Sequence, residues 1–306
     1  MSERIAELEL DACRALLKNG SKSFYAASLS LPSRVRVPAT VVYAFCRILD
    51  DEVDQESATP AVIDALRLRL DEAYAGRPHA HPVDRAFSIV VRDRQLPKLV
   101  FDALLEGFAW DLAGRRYGTI DALVDYCVRV AGTVGVTMSL LMGRREPEVL
   151  ARAADLGIAM QLTNIARDVG HDARNGRIYL PLEWLEEAKV DVDALLTHPE
   201  HSPGLGEVVQ RTLDLADNYY LRADPGIGAL PLDCRPAIRA ARRIYSAIGR
   251  QVRANELDTV SRRAAVPTSE KLRLLLRSLA PSRSELRSLR QPETRGARFL
   301  VDGASE

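Results

Sequence analysis

The 306-residue chain is 47% hydrophobic and carries 42 basic against 42 acidic residues, so it can bury a substantial core but has no general positive charge for nucleic acid. Its four cysteines, Cys13, Cys46, Cys127 and Cys234, lie far apart without paired CxxC spacing, which excludes a zinc module and a dense disulfide framework and suits reduced thiols. The first residues lack a basic start followed by an apolar signal core, and no uninterrupted run of about 18 apolar residues occurs, so a cytoplasmic protein that does not span a membrane is expected.

Apolar residues recur at three- and four-residue steps and sustained period-two alternation is absent, which predicts an all-α fold. In chain order the helices are expected near 3–19, 36–56, 60–75, 83–94, 97–115, 119–143, 146–170, 206–222, 232–254 and 267–278. Breakers separate them at Gly76 to Pro78, Gly118-Thr119, Gly143 to Pro147, Asn175-Gly176, His198 to Gly206 and Pro225-Gly226. None is a flexible linker and no solenoid repeat is visible, so one helical domain over 1–306 is expected, with residues 280–306 as a candidate basic C-terminal tail.

Two of these helices carry acids on apolar surroundings. Asp50, Asp51 and Asp54 follow Val41-Val42-Tyr43-Ala44-Phe45-Cys46, and Asn164, Asp168 and Asp172 follow Ala159-Met160 among Leu162 and Ile165. Residues four apart share a helix face, so Asp50 with Asp54, and Asn164 with Asp168 and Asp172, can each aim at a common point. Acids at this spacing are often only a solvated face or intrahelical pairing. Carboxylates on core helices are costly to desolvate, however, and call for cations or metal. Magnesium, with its preference for a few carboxylates plus phosphate oxygens, makes this pattern read as a site that processes diphosphates.

The residues flanking the acids resemble the squalene/phytoene synthase family over roughly residues 12 to 278. The matching segments are Gly20-Ser21-Lys22-Ser23-Phe24-Tyr25-Ala26-Ala27-Ser28, Tyr43 to Asp51, Tyr126 to Gly135, Gln161 to Val169, Arg177 to Pro181 and Arg262 to Pro267, in family order. The resemblance implies a single-domain helical isoprenoid synthase with a central prenyl-binding cavity. It also implies a magnesium-dependent prenyltransferase, with manganese as a substitute ion, that condenses two geranylgeranyl diphosphates head to head into phytoene for carotenoid synthesis. The route would pass through a cyclopropylcarbinyl diphosphate and release two diphosphates without NADPH.

By the same resemblance Asp50, Asp54, Asn164, Asp168 and Asp172 would hold the metal, with Asp51 beside them. Arg47, Tyr43, Gln161 and Tyr245 would stand at the reacting centre. Ser21, Ser23, Tyr126, Arg167, Arg177, Tyr179 and Arg263 would contact substrate, Tyr126 at the cavity and Arg177 with Tyr179 on a cap that closes over diphosphate. Each also has a plainer role: Ser21 as a helix cap, the tyrosines as partners of a buried hydrogen bond, residues 174–179 as a polar connection. His171 stands where family members often have an acid, and Leu257 where an aromatic residue is common.

The competing functions are squalene or dehydrosqualene synthesis from two farnesyl diphosphates, then a terpene cyclase, then a catalytically silent assembly or lipid-binding homologue. The segment from Lys271 to Arg298 interleaves basic residues with leucines, a pattern suited to peripheral contact with an anionic membrane or to a terminal helix with a solvated basic face. Prenyl diphosphates and a downstream carotenoid enzyme are the expected partners, and nucleic acid is not.

Overall fold

The structure, a computed structural model, describes residues 5–20, 25, 28–55 and 58–305. These residues contain helices and no strand, as the sequence predicts. The helices are α1 (Glu7–Gly20), α2 (Ser33–Val53), α3 (Pro60–Tyr74), α4 (Pro82–Asp93), α5 (Lys98–Leu112), α6 (Ile120–Cys127), α7 (Thr133–Leu141) and α8 (Pro147–Arg174). They continue with α9 (Leu182–Glu187), α10 (Val192–Thr197), α11 (Pro203–Ala229), α12 (Arg235–Ala254), α13 (Thr268–Arg277) and α14 (Arg298–Ser305).

Local chemistry sets many boundaries. Pro60, Pro82, Pro147 and Pro203 open their helices, where a missing N–H costs nothing. Thr119 and Ser202 cap α6 and α11 by accepting from the backbone N–H of Ala122 and Leu205. The α8 helix ends at Asn175-Gly176, where Gly176 takes a φ of 72° and lets the Arg177 N–H reach the Asp172 carbonyl at 2.9 Å.

The centre is a continuous helix from Ile120 to Leu141 in which α6 and α7 meet through a π-helical turn, Val128–Gly132. It is long and apolar enough to cross a membrane, yet 61% of its most apolar window is buried inside the protein. The α7 and α8 backbones touch there: a side chain at Gly135 would strike the Ala153 carbonyl, and one at Gly157 the Ala131 carbonyl. Around this pair, Phe45 of α2 stacks on Phe87 of α4 at 3.7 Å, and Phe87 meets Phe101 of α5 edge-on. Cys13, Cys127 and Cys234 are buried free thiols and Cys46 is half-buried.

Three expectations need correction. The Pro225-Gly226 break does not occur, because α11 runs on to Ala229. Packing prevails there: Pro225 is buried, and Gly226 leaves room for the Arg152 side chain of α8. The stretch after residue 181 contains α9 and α10, each six residues, too short to show periodicity. Residues 280–305 are no loose tail, since Leu300, Val301 and Ala304 are buried and Glu285 forms a buried ion pair with Arg239 at 2.7 Å.

Candidate active site

The α2 and α8 helices bring both acidic faces to one end of the bundle, where arginines pair with the acids. Arg47 pairs with Asp50 at 3.1 Å and with Asp51 at 2.5 Å. Across the site, Arg177 reaches Asp54 at 3.0 Å. The turn at Gly176 therefore folds the segment after α8 back toward α2, where Arg177 meets Asp54.

Asp168 is held differently. Arg167 donates to it through two nitrogens, and Arg263 does so at 2.7 and 3.2 Å. Arg263 is delivered by the loop after α12, which α8 grips: Gly170 donates to the Thr259 carbonyl at 3.2 Å and Arg174 to the Val260 carbonyl at 2.8 Å. Gly170 is required, since a Cβ there would collide with Val260. The loop leaves α12 through Glu256 and Leu257, both at positive φ, so Leu257 makes the turn that aims Arg263 in addition to packing against the core.

The electrostatics divide the acids. Burial, then Asp54, push the Asp50 carboxyl up to about 6 despite Arg47. Burial, then Asp168, push Asp172 up to about 7 despite Arg177 and Arg167. Burial also raises Asp168, but hydrogen bonds from Arg167 and Arg263 outweigh it and leave that carboxyl below its ordinary value. Asp50 and Asp172 are thus short of positive charge, while Asp168 is already neutralised.

A further acid, Asp111 at the end of α5, escaped the sequence reading. It accepts hydrogen bonds from the hydroxyls of Tyr126 and Tyr179, both at 2.8 Å, and burial raises its carboxyl above the ordinary range. The two rings lie 5.2 Å apart and stack, with Tyr117 beside them. A carboxylate inside the apolar run of α5 was the available signal, the same one that revealed the other two faces. Tyr126 consequently lines neither cavity described below; it holds Tyr179 and Asp111.

Two apolar cavities lead away from the acids. One is lined by Tyr43, Arg47 and Asp50 at the α2 end and by Val100, Phe101 and Leu104 deeper in. The other is lined by Gln161 and Asn164 of α8 and extends along Gly157, Leu156 and Ala153. They share Val134, Met138 and Tyr245, and the π-helical turn supplies Val130 to one and Ala131 to the other. Tyr43 and Tyr245 stand where the cavities meet the acids, and a side chain at Gly20 would strike the Tyr43 hydroxyl. Gln161 accepts from Asn164 at 3.5 Å. His171 is exposed and faces Asn175 at 3.3 Å. Ser21 and Ser23 lie outside the described residues.

The sequence pattern of squalene/phytoene synthases matches residues 17–270. The chain belongs to the squalene/phytoene synthase family. It is similar to the phytoene synthase of Cereibacter sphaeroides, 46% identical over 98% of this chain and 89% of that one. It is also similar to the phytoene synthase of Rhodobacter capsulatus, 49% identical over 90% and 82% of the two chains. Among solved structures, a dehydrosqualene synthase in complex with ligand superposes with a TM-score of 0.81, at 31% identity over 89% of this chain and 95% of that one. A squalene synthase from Alicyclobacillus acidocaldarius superposes with a TM-score of 0.74, at 26% identity over 81% and 94% of the chains. Fold and family thus agree with the resemblance drawn from the sequence.

Proposed function

We propose that this chain is a prenyltransferase that condenses two geranylgeranyl diphosphates into phytoene through a cyclopropylcarbinyl diphosphate, losing two diphosphates and two protons, one on closing the cyclopropane and one after the final rearrangement. The observation that carries this reading is the pair of apolar cavities, each reaching one acidic face and joined at Val134, Met138 and Tyr245. Two long chains need two such channels, and their reacting carbons must meet away from water. The identity to proteins named phytoene synthase, higher than that to the dehydrosqualene synthase, favours C20 over C15 substrates.

Magnesium, or manganese in its place, suits the donor set: hard oxygens from Asp50, Asp54, Asn164, Asp168 and Asp172, two of them with raised carboxyls that a dication would relieve. Among the described residues no three acids, histidines or cysteines already converge into a cage, so diphosphate oxygens and water would complete the shell. Such ions, when bound, screen the charge on the departing diphosphate. Arg47, Arg167, Arg177 and Arg263 each neutralise a site carboxylate and are positioned to turn toward diphosphate oxygens. Asp111 keeps Tyr179 beside Arg177, Tyr245 stands at the junction of the cavities, and Tyr43 lines the one that reaches Asp50.

Product analysis tests this reading. The purified protein with magnesium and geranylgeranyl diphosphate, without NADPH, should yield phytoene. Turnover confined to farnesyl diphosphate would identify a dehydrosqualene-type enzyme, and inactivity with both would favour the silent homologue.

We further propose that the protein is cytoplasmic and rests on an anionic lipid surface, from which a water-insoluble product passes on to lipid or to a downstream carotenoid enzyme. Leu272, Leu276 and Leu279 form an exposed stripe on and just after α13, with Arg273 and Arg277 exposed beside them. Because residues 280–305 pack into the core, substitution of these three leucines by serine, rather than truncation, is the suitable test. Cosedimentation with anionic vesicles should fall, and unchanged sedimentation would refute the contact.

A further inference from the structure

The cavity that starts at Gln161 and Asn164 runs along one face of α8, through Met160, Gly157, Leu156 and Ala153, to Arg152 and Val149. From Asn164 to Arg152 the helix rises about 18 Å. Nearly all of the lining is apolar, but its far end is not.

Arg152 is 1% exposed and lines that end, yet its Nε and Nη1 have no hydrogen-bond partner. Only Nη2 is used, on Asp155 at 3.1 Å and on the Pro292 carbonyl at 3.4 Å. Asp155 is meanwhile occupied by Arg222 at 3.2 Å and by the Thr294 hydroxyl at 2.8 Å. On the facing helix Ser139 is fully buried, lines the same cavity, and its Oγ also lacks a partner. The α7 and α8 backbones touch at Gly135 and Ala153, one turn from Ser139 and next to Arg152, so the two polar groups belong to one end of the channel.

We propose that Arg152 and Ser139 form a polar stop that gauges the length of the prenyl chain bound along α8. A chain short enough to end before Arg152 leaves its ion pair with Asp155 in place. One isoprene unit more must push the buried guanidinium aside and break that pair, which is costly in an apolar surround. The barrier is therefore the ion pair that tethers Arg152 rather than bulk, so an apolar side chain of similar length, free to move, should relax it. Gly226 supports the arrangement by leaving room for the Arg152 stem, and Glu285 closes over Gly228 behind it.

This inference rests on the prenyltransferase reading, and the experiment separates the two. Wild-type enzyme is assayed with C15, C20 and C25 all-trans prenyl diphosphates, and kcat/KM is compared. No turnover of any of them by folded wild-type protein refutes the enzyme reading. With turnover established, Arg152→Met should raise the C25-to-C20 ratio about ten-fold or more, Ser139→Ala about three-fold, and Arg152→Lys should leave it near wild type. A purely structural Arg152 would instead lower turnover of all three substrates in proportion. An unchanged ratio in folded Arg152→Met overturns the proposal. Should that variant fail to fold, Ser139→Ala, which breaks no ion pair, decides by the same ratio.

Discussion

The two acidic faces look alike in sequence and differ in state. On α2, Asp50 and Asp51 share Arg47, and Asp54 is held by an arginine from outside its helix. On α8, Asp168 is saturated by Arg167 and Arg263 while Asp172, one turn on, has its carboxyl raised to about 7. The comparison teaches that unmet demand for positive charge sits on one carboxylate of each face, Asp50 and Asp172. On the proposed reading Asp168 would exchange its arginines for metal, and diphosphate would accept the arginines it releases.

The largest expected effects come from breaking either face. Asp50→Ala and Asp168→Ala should each lower product formation by on the order of 1,000-fold, measured by hydrocarbon extraction and mass spectrometry, because neither removes only a surface charge. Chelation of divalent ions should abolish turnover as completely, and magnesium should restore it; full activity in chelator would remove the metal from the account.

Smaller effects sharpen the contrast. Arg263→Gln and Arg177→Gln should lower kcat/KM by about 10- to 100-fold, through diphosphate contacts, with unfolding transitions near wild type. Tyr126→Phe should act less, about three- to ten-fold, since it removes one of the two hydrogen bonds holding Asp111.

The smallest effect concerns stability. Carboxyls raised in the folded state bind more protons folded than unfolded, so their contribution to metal-free stability falls as pH rises from about 4 to about 7. Asp172→Asn should then raise the melting midpoint of metal-free protein at pH 8 by about 2 °C while impairing catalysis. A lowered midpoint would mean that Asp172 is stabilised by partners rather than strained.

The acids on α2 and α8 were legible because helical spacing and apolar neighbours are properties of a single segment. Asp111 was not, since only packing of α5 against α6 and the segment carrying Tyr179 turns a lone acid into a partner of two tyrosines. Tyr126 was read as a cavity residue for the same reason: the face of α6 it occupies shows in sequence, but not which neighbour covers that face. The C-terminal segment was misjudged as a tail because its basic composition hides Glu285, whose buried partner Arg239 lies 46 positions away. Pro225-Gly226 failed as a break because burial of the whole α11 face prevailed over a local turn signal.

The central claim is that two prenyl diphosphates ionise in turn at this one charged end. The most direct measurement counts inorganic diphosphate released against phytoene formed, in magnesium with geranylgeranyl diphosphate as the only substrate. The account predicts two diphosphates for each phytoene; diphosphate release without any C40 hydrocarbon would contradict it.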